Sequence, residues 1–329
     1  MKRFHNLLSQ VQTSQHITTY KSPWEILEQS SMTSAVANSA TQRLKWNHIG
    51  GNYVHEILAP QVRRQTGCEI EELSDLALSM GVEREDQGTC LEGHEGSFLS
   101  TMEGLASWSK ATVKLSTKIT GLKRNLTETK EMWILESTLE GGGKRAEVFD
   151  HIILATPYNT TLLGLPVKEE EMSYKPAYLT FFSTTTNPEI MKGIHTLLPI
   201  TPSSTIRGSS TEIYELTYLR ESFTFKEQSS LVESSFIYRI SSNLPLSDTE
   251  IEVLFGEGNV KDIVRQEMEF GWPVLRPRSN GEELEGWEVE GQKGLWTTAG
   301  GEGVVSSVEW MFLVGGVLGR AVVRRIEEE

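Results

Sequence analysis

The residues most able to do chemistry lie near the C-terminus, in Trp296-Thr297-Thr298-Ala299-Gly300-Gly301-Glu302-Gly303. A short apolar strand ends there in glycines and an acid, and a helix with an apolar face is expected over residues 304–323. Glycines let a backbone approach a ligand closely, and a carboxylate accepts hydrogen bonds from sugar-like hydroxyls. A following helix N-terminus offers free N–H groups and partial positive charge, which suits a reduced flavin anion. The segment therefore reads as the closing unit of a flavin-binding domain, with Glu302 as acceptor for a ribityl or ribose hydroxyl. The competing reading is an ordinary glycine turn between strand and helix. No G-x-G-x-x-G opening unit accompanies it. The nearest candidate, Gly256-Glu257-Gly258-Asn259-Val260-Lys261, lacks the third glycine and follows no clear strand.

Elements to hold such a site can be read from periodicity. Up to about residue 110 the chain is expected to be mostly helical. Ile57, Leu58 and Val62, then Leu73, Leu76, Ala77 and Met80, fall at helical spacing, with Gly81 as a helix stop. Phe98, Met102, Leu105 and Trp108 form another helical stripe after a glycine-rich loop at 93–97. The period then changes. Ala111, Val113, Leu115 and Ile119 mostly alternate with polar residues, as in a half-buried strand, and residues 132–139 give a second strand. Gly141-Gly142-Gly143 makes a turn. Residues 148–155 read as one strand entering the core and stopping at Thr156-Pro157. Strands are expected at 178–185, 211–219 and 235–241. Ser247-Asp248-Thr249-Glu250 resembles a capping box. Trp272-Pro273 through Pro277 reads as an extended linker.

Composition sets limits. The 329 residues carry 31 basic and 45 acidic side chains, a net charge of −14, which argues against nucleic acid as a partner. Cys68 and Cys90 make no framework or metal pattern, and their spacing permits a disulfide without requiring one. Seven histidines show no zinc spacing. The first ten residues lack the apolar run of a signal peptide. Glu309 and Arg320 interrupt the 304–323 segment, so no transmembrane helix is expected. Asn125 and Asn159 begin glycosylation-type triplets of a kind that arises by chance. The eight tryptophans are expected mainly in cores and domain contacts.

Taken in order, these segments resemble the prenylcysteine oxidase (prenylcysteine lyase) family of flavoenzymes. The resemblance rests on Ile57-Leu58-Ala59-Pro60-Gln61-Val62-Arg63-Arg64-Gln65-Thr66-Gly67, on Leu91-Glu92-Gly93-His94-Glu95-Gly96, and on the 148–155 run ending in Ala155-Thr156-Pro157. It continues in Trp272-Pro273 with Pro277 and in Gly300-Gly301-Glu302-Gly303. It implies an α/β fold, α+β in this form: an amine-oxidase-type, two-domain flavoprotein with a mixed-sheet substrate domain.

The implied organisation is a helical part of the substrate domain at 1–110 and a β-meander plus FAD-domain strand at 111–158. A substrate-binding sheet and helix at 159–275 and a C-terminal FAD-domain strand and helix at 276–329 complete it. The implied cofactor is FAD, contacted by Gly300, Gly301, Glu302 and Gly303 and by Ala155, Thr156 and Pro157. A buried strand meeting a proline breaker is the plainer reading of the latter three. Arg63 reads either as a helix-ending surface arginine or as a group facing substrate or flavin. No acid, base or nucleophile is assigned.

The implied activity is oxidative cleavage of a farnesyl- or geranylgeranyl-cysteine thioether to cysteine, an isoprenoid aldehyde and hydrogen peroxide, in catabolism of prenylated proteins. The family's compartments are lysosomal, vacuolar or secreted. The family opens with a dinucleotide-binding unit, and no G-x-G-x-x-G turn of that kind is read in this sequence. Two other expectations follow from that departure: an inactive homologue binding an isoprenoid or a protein partner, and self-association through an uncovered apolar face. A flavin amine-oxidase-like enzyme of secondary metabolism is the third reading.

Overall fold

The computed structural model describes residues 20–86, 97–126, 131–155, 174–185, 211–225, 232–278, 286–289, 291–304 and 307–328. They form a mixed α+β structure of helices and three separate sheets.

Among the described residues three short helices come first: α1 (Pro23–Gln29), α2 (Thr33–Ala37) and α3 (Ala40–Trp46). Helix α1 starts where Ser22 Oγ accepts from the Glu25 N–H and Pro23 occupies the first turn, where its missing N–H costs nothing. The next helix begins as one turn at Gly51–Tyr53, widens to a π-helix at Val54–Leu58, and continues as α4 (Ala59–Thr66). Pro60 has no N–H for the Glu56 carbonyl, and the Ala59 N–H has already stepped back to the Val54 carbonyl. The helix thus passes through Ala59-Pro60. It stops at Gly67, whose φ of +62° is left-handed.

Helix α5 (Asp75–Asp86) does not stop at Gly81. A Cβ there would lie 3.7 Å from Val62 Cγ2 and 3.8 Å from Val62 Cα, so this glycine marks the close approach of α4 to α5. Helix α6 (Ser97–Trp108) follows.

An antiparallel meander comes next: β1 (Thr117–Leu126), β2 (Glu131–Leu139) and β3 (Lys144–Phe149). The expected strand through Ala111, Val113 and Leu115 does not form. Those residues are exposed and have no strand beside them to complete a ladder. The 148–155 run is not one strand either. Asp150 and His151 break it, and β4 (Ile152–Leu154) pairs in parallel with β9 (Leu295–Thr297), Ile152 opposite Leu295 and Leu154 opposite Thr297.

The four-stranded antiparallel sheet has the order β6 (Ile213–Phe225), β7 (Val232–Ser242), β5 (Tyr174–Thr184), β8 (Val260–Pro273). Helix α7 (Asp248–Phe255) covers one face, burying Ile251 and Phe255 against Phe182, Tyr238 and Ile240. Its capping box is complete: Ser247 Oγ accepts from the Glu250 N–H, and Glu250 accepts from the Ser247 N–H. The expected linker at Trp272-Pro273 is instead the end of β8, opposite Lys175 and Tyr174. The Gly256–Lys261 segment is the turn into that strand.

The chain closes with α8 (Ala299–Glu302) and α9 (Val308–Glu328). One core joins the two ends of the described chain, packing Ile26 and Leu27 of α1 against Trp310, Val314 and Leu318 of α9, with Trp287 and Trp296. A second core lies under α3–α5, and a third joins Leu122 and Trp133 of the meander to Leu295. Among the described residues no helix is long and apolar enough to cross a membrane. Most tryptophans are at least partly buried; Trp46 and Trp108 are the exposed ones.

Gly67 is the tightest point. A Cβ on it would fall 2.2 Å from Cγ of Trp272, a clash on top of an unfavourable backbone. Gly67→Ala is expected to cost about 2 kcal/mol or more, read as a lower urea midpoint with unchanged slope.

Candidate functional site

Strands β4 and β9 run parallel, so their C-terminal ends open on the same side. Ligands of parallel α/β sheets bind off that end. Beyond β4 lies Ala155, exposed; Thr156 and Pro157 fall outside the described residues. Beyond β9 the Thr298 N–H donates to the Leu154 carbonyl at 3.1 Å, and α8 begins. The structure therefore brings Ala155 and Gly300–Glu302 to one edge.

The glycines do not open the long helix directly. They sit in and just after the four-residue α8, and α9 starts separately at Val308, where Ser307 Oγ accepts from the Trp310 N–H at 3.2 Å. Trp310 Nε1 donates to the Gly301 carbonyl at 2.7 Å. A Cβ on Gly301 would lie 2.9 Å from Val314 Cγ2. Packing of α8 against α9 therefore requires a glycine at 301, independently of any ligand.

Glu302 is the chemical group of this edge. Tyr174, the first residue of β5, donates its hydroxyl to Glu302 Oε2 at 2.5 Å. No described residue donates to Oε1. Burial pushes the Glu302 carboxyl up, and the Tyr174 bond acts against that. Burial, then the bond to Glu302 and its charge, raise Tyr174 far above the ordinary tyrosine range. Phe270 of β8 meets the Tyr174 ring edge-on, with centroids 5.4 Å apart. A half-buried carboxylate with one oxygen held and the other accepting from no described residue fits a ligand hydroxyl, as the ribityl or ribose of a flavin would supply. Sequence patterning did not find Tyr174 or Phe270, because nothing local marks a tyrosine whose partner lies 128 positions away.

Arg63 is not a surface residue. It is 5% exposed and grips Glu69 with two bonds of 2.6 Å, from Nε and Nη2. Its Nη1 is buried without a hydrogen bond. Around it Lys175 pairs with Glu72, and Arg239 of β7 pairs with Glu215 of β6 at 2.9 Å. Tyr214 is pushed up to about 12, first by burial, then by Glu212 and Glu69. Arg63 holds the turn to α4, and the partly exposed Lys175–Glu72 pair ties that turn to the four-stranded sheet.

Cys68 lies in the same turn as a free, buried thiol. Burial pushes it up to about 11 despite nearby Lys175. Cys90 falls outside the described residues. Among the described residues no cluster of His, Cys, Asp and Glu could hold a metal ion.

A protein-family model described as prenylcysteine lyase matches residues 1–328. No curated protein matches the chain. Among solved structures, a flavoprotein/dehydrogenase from Cytophaga hutchinsonii is similar at 12% identity, covering 71% of this chain and 54% of its own, with a TM-score of 0.33. The chain thus spans about half the length of that structure.

Two outcomes follow from the titrating groups. Glu302 is raised in the folded state, so its contribution to stability is complete below the ordinary glutamate range near ~4.3 and is lost as pH rises through the raised value. Urea midpoints of the wild type should therefore fall relative to Glu302→Gln across that window, and parallel pH profiles would contradict the assignment. Burial raises the Cys68 thiol, so at pH 8 it stays almost wholly protonated. Folded protein should resist iodoacetamide at this residue, read by mass spectrometry, and unfolded protein should label readily.

Proposed function

This chain belongs to the prenylcysteine lyase family, and we propose that it serves as an FAD-dependent oxidase of prenyl thioethers. The substrate would be farnesyl- or geranylgeranyl-cysteine, and the products cysteine, an isoprenoid aldehyde and hydrogen peroxide. The observation that supports this reading is Glu302, a half-buried carboxylate at the shared C-terminal edge of β4 and β9, whose Oε1 accepts from no described residue. A bound FAD would supply two-electron oxidation at the carbon beside sulfur, with dioxygen as the final electron acceptor and water as the source of the aldehyde oxygen.

The chain's own groups bind and align. Glu302 would accept from a ribityl or ribose hydroxyl, with Tyr174 fixing the carboxylate in place. Ala155 would lie along the nucleotide, with Thr156 and Pro157 continuing that contact beyond the described residues. Gly300 and Gly303 would leave room for the cofactor, and Gly301 would hold α8 on α9. Residues 111–158 and 276–329 would then be the cofactor part, and 1–110 and 159–275 the substrate part.

The isoprenoid would lie on the face of the four-stranded sheet opposite α7. Cross-strand register puts Val264, Phe181, Arg239 and Thr217 in one row of that face and Gln266, Leu179, Ser241 and Glu215 in the next. Apolar side chains on β5 and β8 thus lie beside the Arg239–Glu215 pair. A greasy tail with a zwitterionic end matches that division. Arg63, engaged with Glu69, would act at one remove from the substrate by holding the turn against β6.

The test is full-length protein incubated with FAD, then with farnesylcysteine, reading flavin absorbance and peroxide. Bound flavin with peroxide release supports the reading; protein that takes up no flavin and releases no peroxide sinks it. In active protein Glu302→Ala should weaken FAD binding about ten- to a hundredfold, or ~1.5–3 kcal/mol. Val264→Glu, at an exposed position, should raise KM about tenfold with flavin content unchanged.

A further inference from the structure

Two arginine–glutamate pairs near the four-stranded sheet are built differently. Arg63 meets both oxygens of Glu69, through Nε and Nη2, the two-bond geometry of a structural pair. Arg239 meets Glu215 through one nitrogen: Nη2 donates to Oε2 at 2.9 Å and to Thr217 Oγ1 at 3.4 Å. Its Nε is buried without a hydrogen bond. With that corner closed in and Nη2 held, Nη1 is the corner left for a partner, and no described residue accepts from it. The Arg239 side chain keeps 32% of its surface exposed, against 11% for Glu215. A guanidinium fixed in this way, with one donor corner unused, suits an incoming carboxylate.

The surrounding charges leave a positive surplus among the described residues. Half-buried Arg64 of α4 also feels Glu215: burial lowers its guanidinium, and the Glu215 charge raises it. Other acids nearby are engaged elsewhere. Glu69 is taken by Arg63 and Glu72 by Lys175. Glu212 acts on Tyr214, and Asp262 accepts from Ser183 at the far end of β5. Glu267 meets Tyr178, which lies in line with Phe182 on the α7 side of the sheet. Glu215 thus sets one negative charge against two arginines. Apolar ground begins one strand away. Phe181 is the cross-strand partner of Arg239, Val264 is the partner of Phe181, and Leu179 is the next residue of β5 on that face.

We propose that Arg239 binds the free carboxylate of an amino-acid ligand whose apolar tail crosses β5 and β8. Nη1 would take the carboxylate, and Phe181, Leu179 and Val264 would lie under the tail. Glu215 and Thr217 are positioning residues, which aim the guanidinium without touching the ligand. That the ligand is a prenylcysteine rests on the oxidase reading; the choice of a carboxylate rests on the sheet. An ester in place of the acid leaves the positive surplus unmatched, so Arg239 would make the site selective for the free acid.

The test is calorimetric titration of the full chain with farnesylcysteine and with its methyl ester. At about pH 6 both α-amines are protonated, so the ligands differ in charge at the carboxyl group alone. The wild type should bind the acid about tenfold or more tighter than the ester. Arg239→Gln should bring that ratio to about one, and Arg239→Lys should give an intermediate value. Glu215→Gln should raise the ratio, because it removes the competing carboxylate. Should Arg239→Gln not fold, the opposite shifts in Arg239→Lys and Glu215→Gln carry the decision. A purely structural pair predicts lower melting temperatures and an unchanged ratio in both. That outcome overturns the proposal, as does equal binding of acid and ester by the wild type, or binding of neither. Flavin uptake and peroxide release are read separately. Peroxide release with equal binding of the two ligands overturns this assignment alone, whereas acid selectivity without flavin overturns the oxidase reading alone.

Discussion

The parallel pairing of β4 with β9 is the constraint on which the remaining structure depends. Parallel neighbours cannot be joined by a hairpin, so the chain between them must leave one end of the pair and return to the other. Here that connection is long enough to contain the whole four-stranded sheet and α7. The pair is fastened at its start by residues with little alternative. Gly294 has φ +78°, and a Cβ on it would lie 2.7 Å from the Asp150 carbonyl. Trp133 of the meander donates to the Lys293 carbonyl at 2.9 Å, and Trp287 donates to the Tyr20 carbonyl at 2.8 Å. The meander, the first helix and the C-terminal unit are therefore all referred to the same two short strands, and the far ends of those strands carry the candidate site.

The returning sheet is tied back at the first two residues of β5. Neighbouring positions of a strand point to opposite faces. Tyr174 reaches Glu302 on the C-terminal unit, while Lys175 reaches Glu72 below the helical layer. One strand start thus spans two parts of the molecule. The Tyr174–Glu302 bond is electrostatically unfinished. Burial raises both groups, and the single described donor to the carboxylate only partly offsets the lost hydration. A second donor at Oε1 would stabilise the ionised form further, so a hydroxyl-bearing ligand and release of a proton favour each other at this position.

How much of this was legible depended on whether the cause was local. The Ser247 capping box, β2 and the strands at 174–242 are set by nearby patterns and could be read directly. Strand β8 could not. It is an edge strand with most side chains in solvent, so Lys261-Asp262-Ile263-Val264-Arg265-Gln266 shows no clean alternation of apolar and polar residues. The 148–155 run misled for the opposite reason. Its apolar continuity hides the step at Asp150-His151, where the chain leaves one sheet and enters another. Around Val113 a true alternation found no neighbouring strand and remained unpaired, because alternation describes a face and does not supply its partner. Glu302 stands out in its own segment as an acid among glycines, whereas its contact with Tyr174 and the burial of Arg63 depend on contacts that sequence spacing does not encode.

The glycines beside Glu302 show why a short motif mixes two kinds of content. A glycine-rich turn beside an acid suggests a ligand, yet Gly301 is accounted for by Val314 and Trp310 on the following helix. The same close packing places Glu302 in partial burial, because α8 can approach α9 only when position 301 has no side chain. Structural glycine and chemical acid are therefore linked causally. A larger residue at 301 would push α8 away from α9, expose the Glu302 carboxylate to water and pull it away from the Tyr174 hydroxyl. The chemical content of the motif resides in one carboxylate, and the glycine supplies the surroundings that make this carboxylate unlike the many acids on the surface.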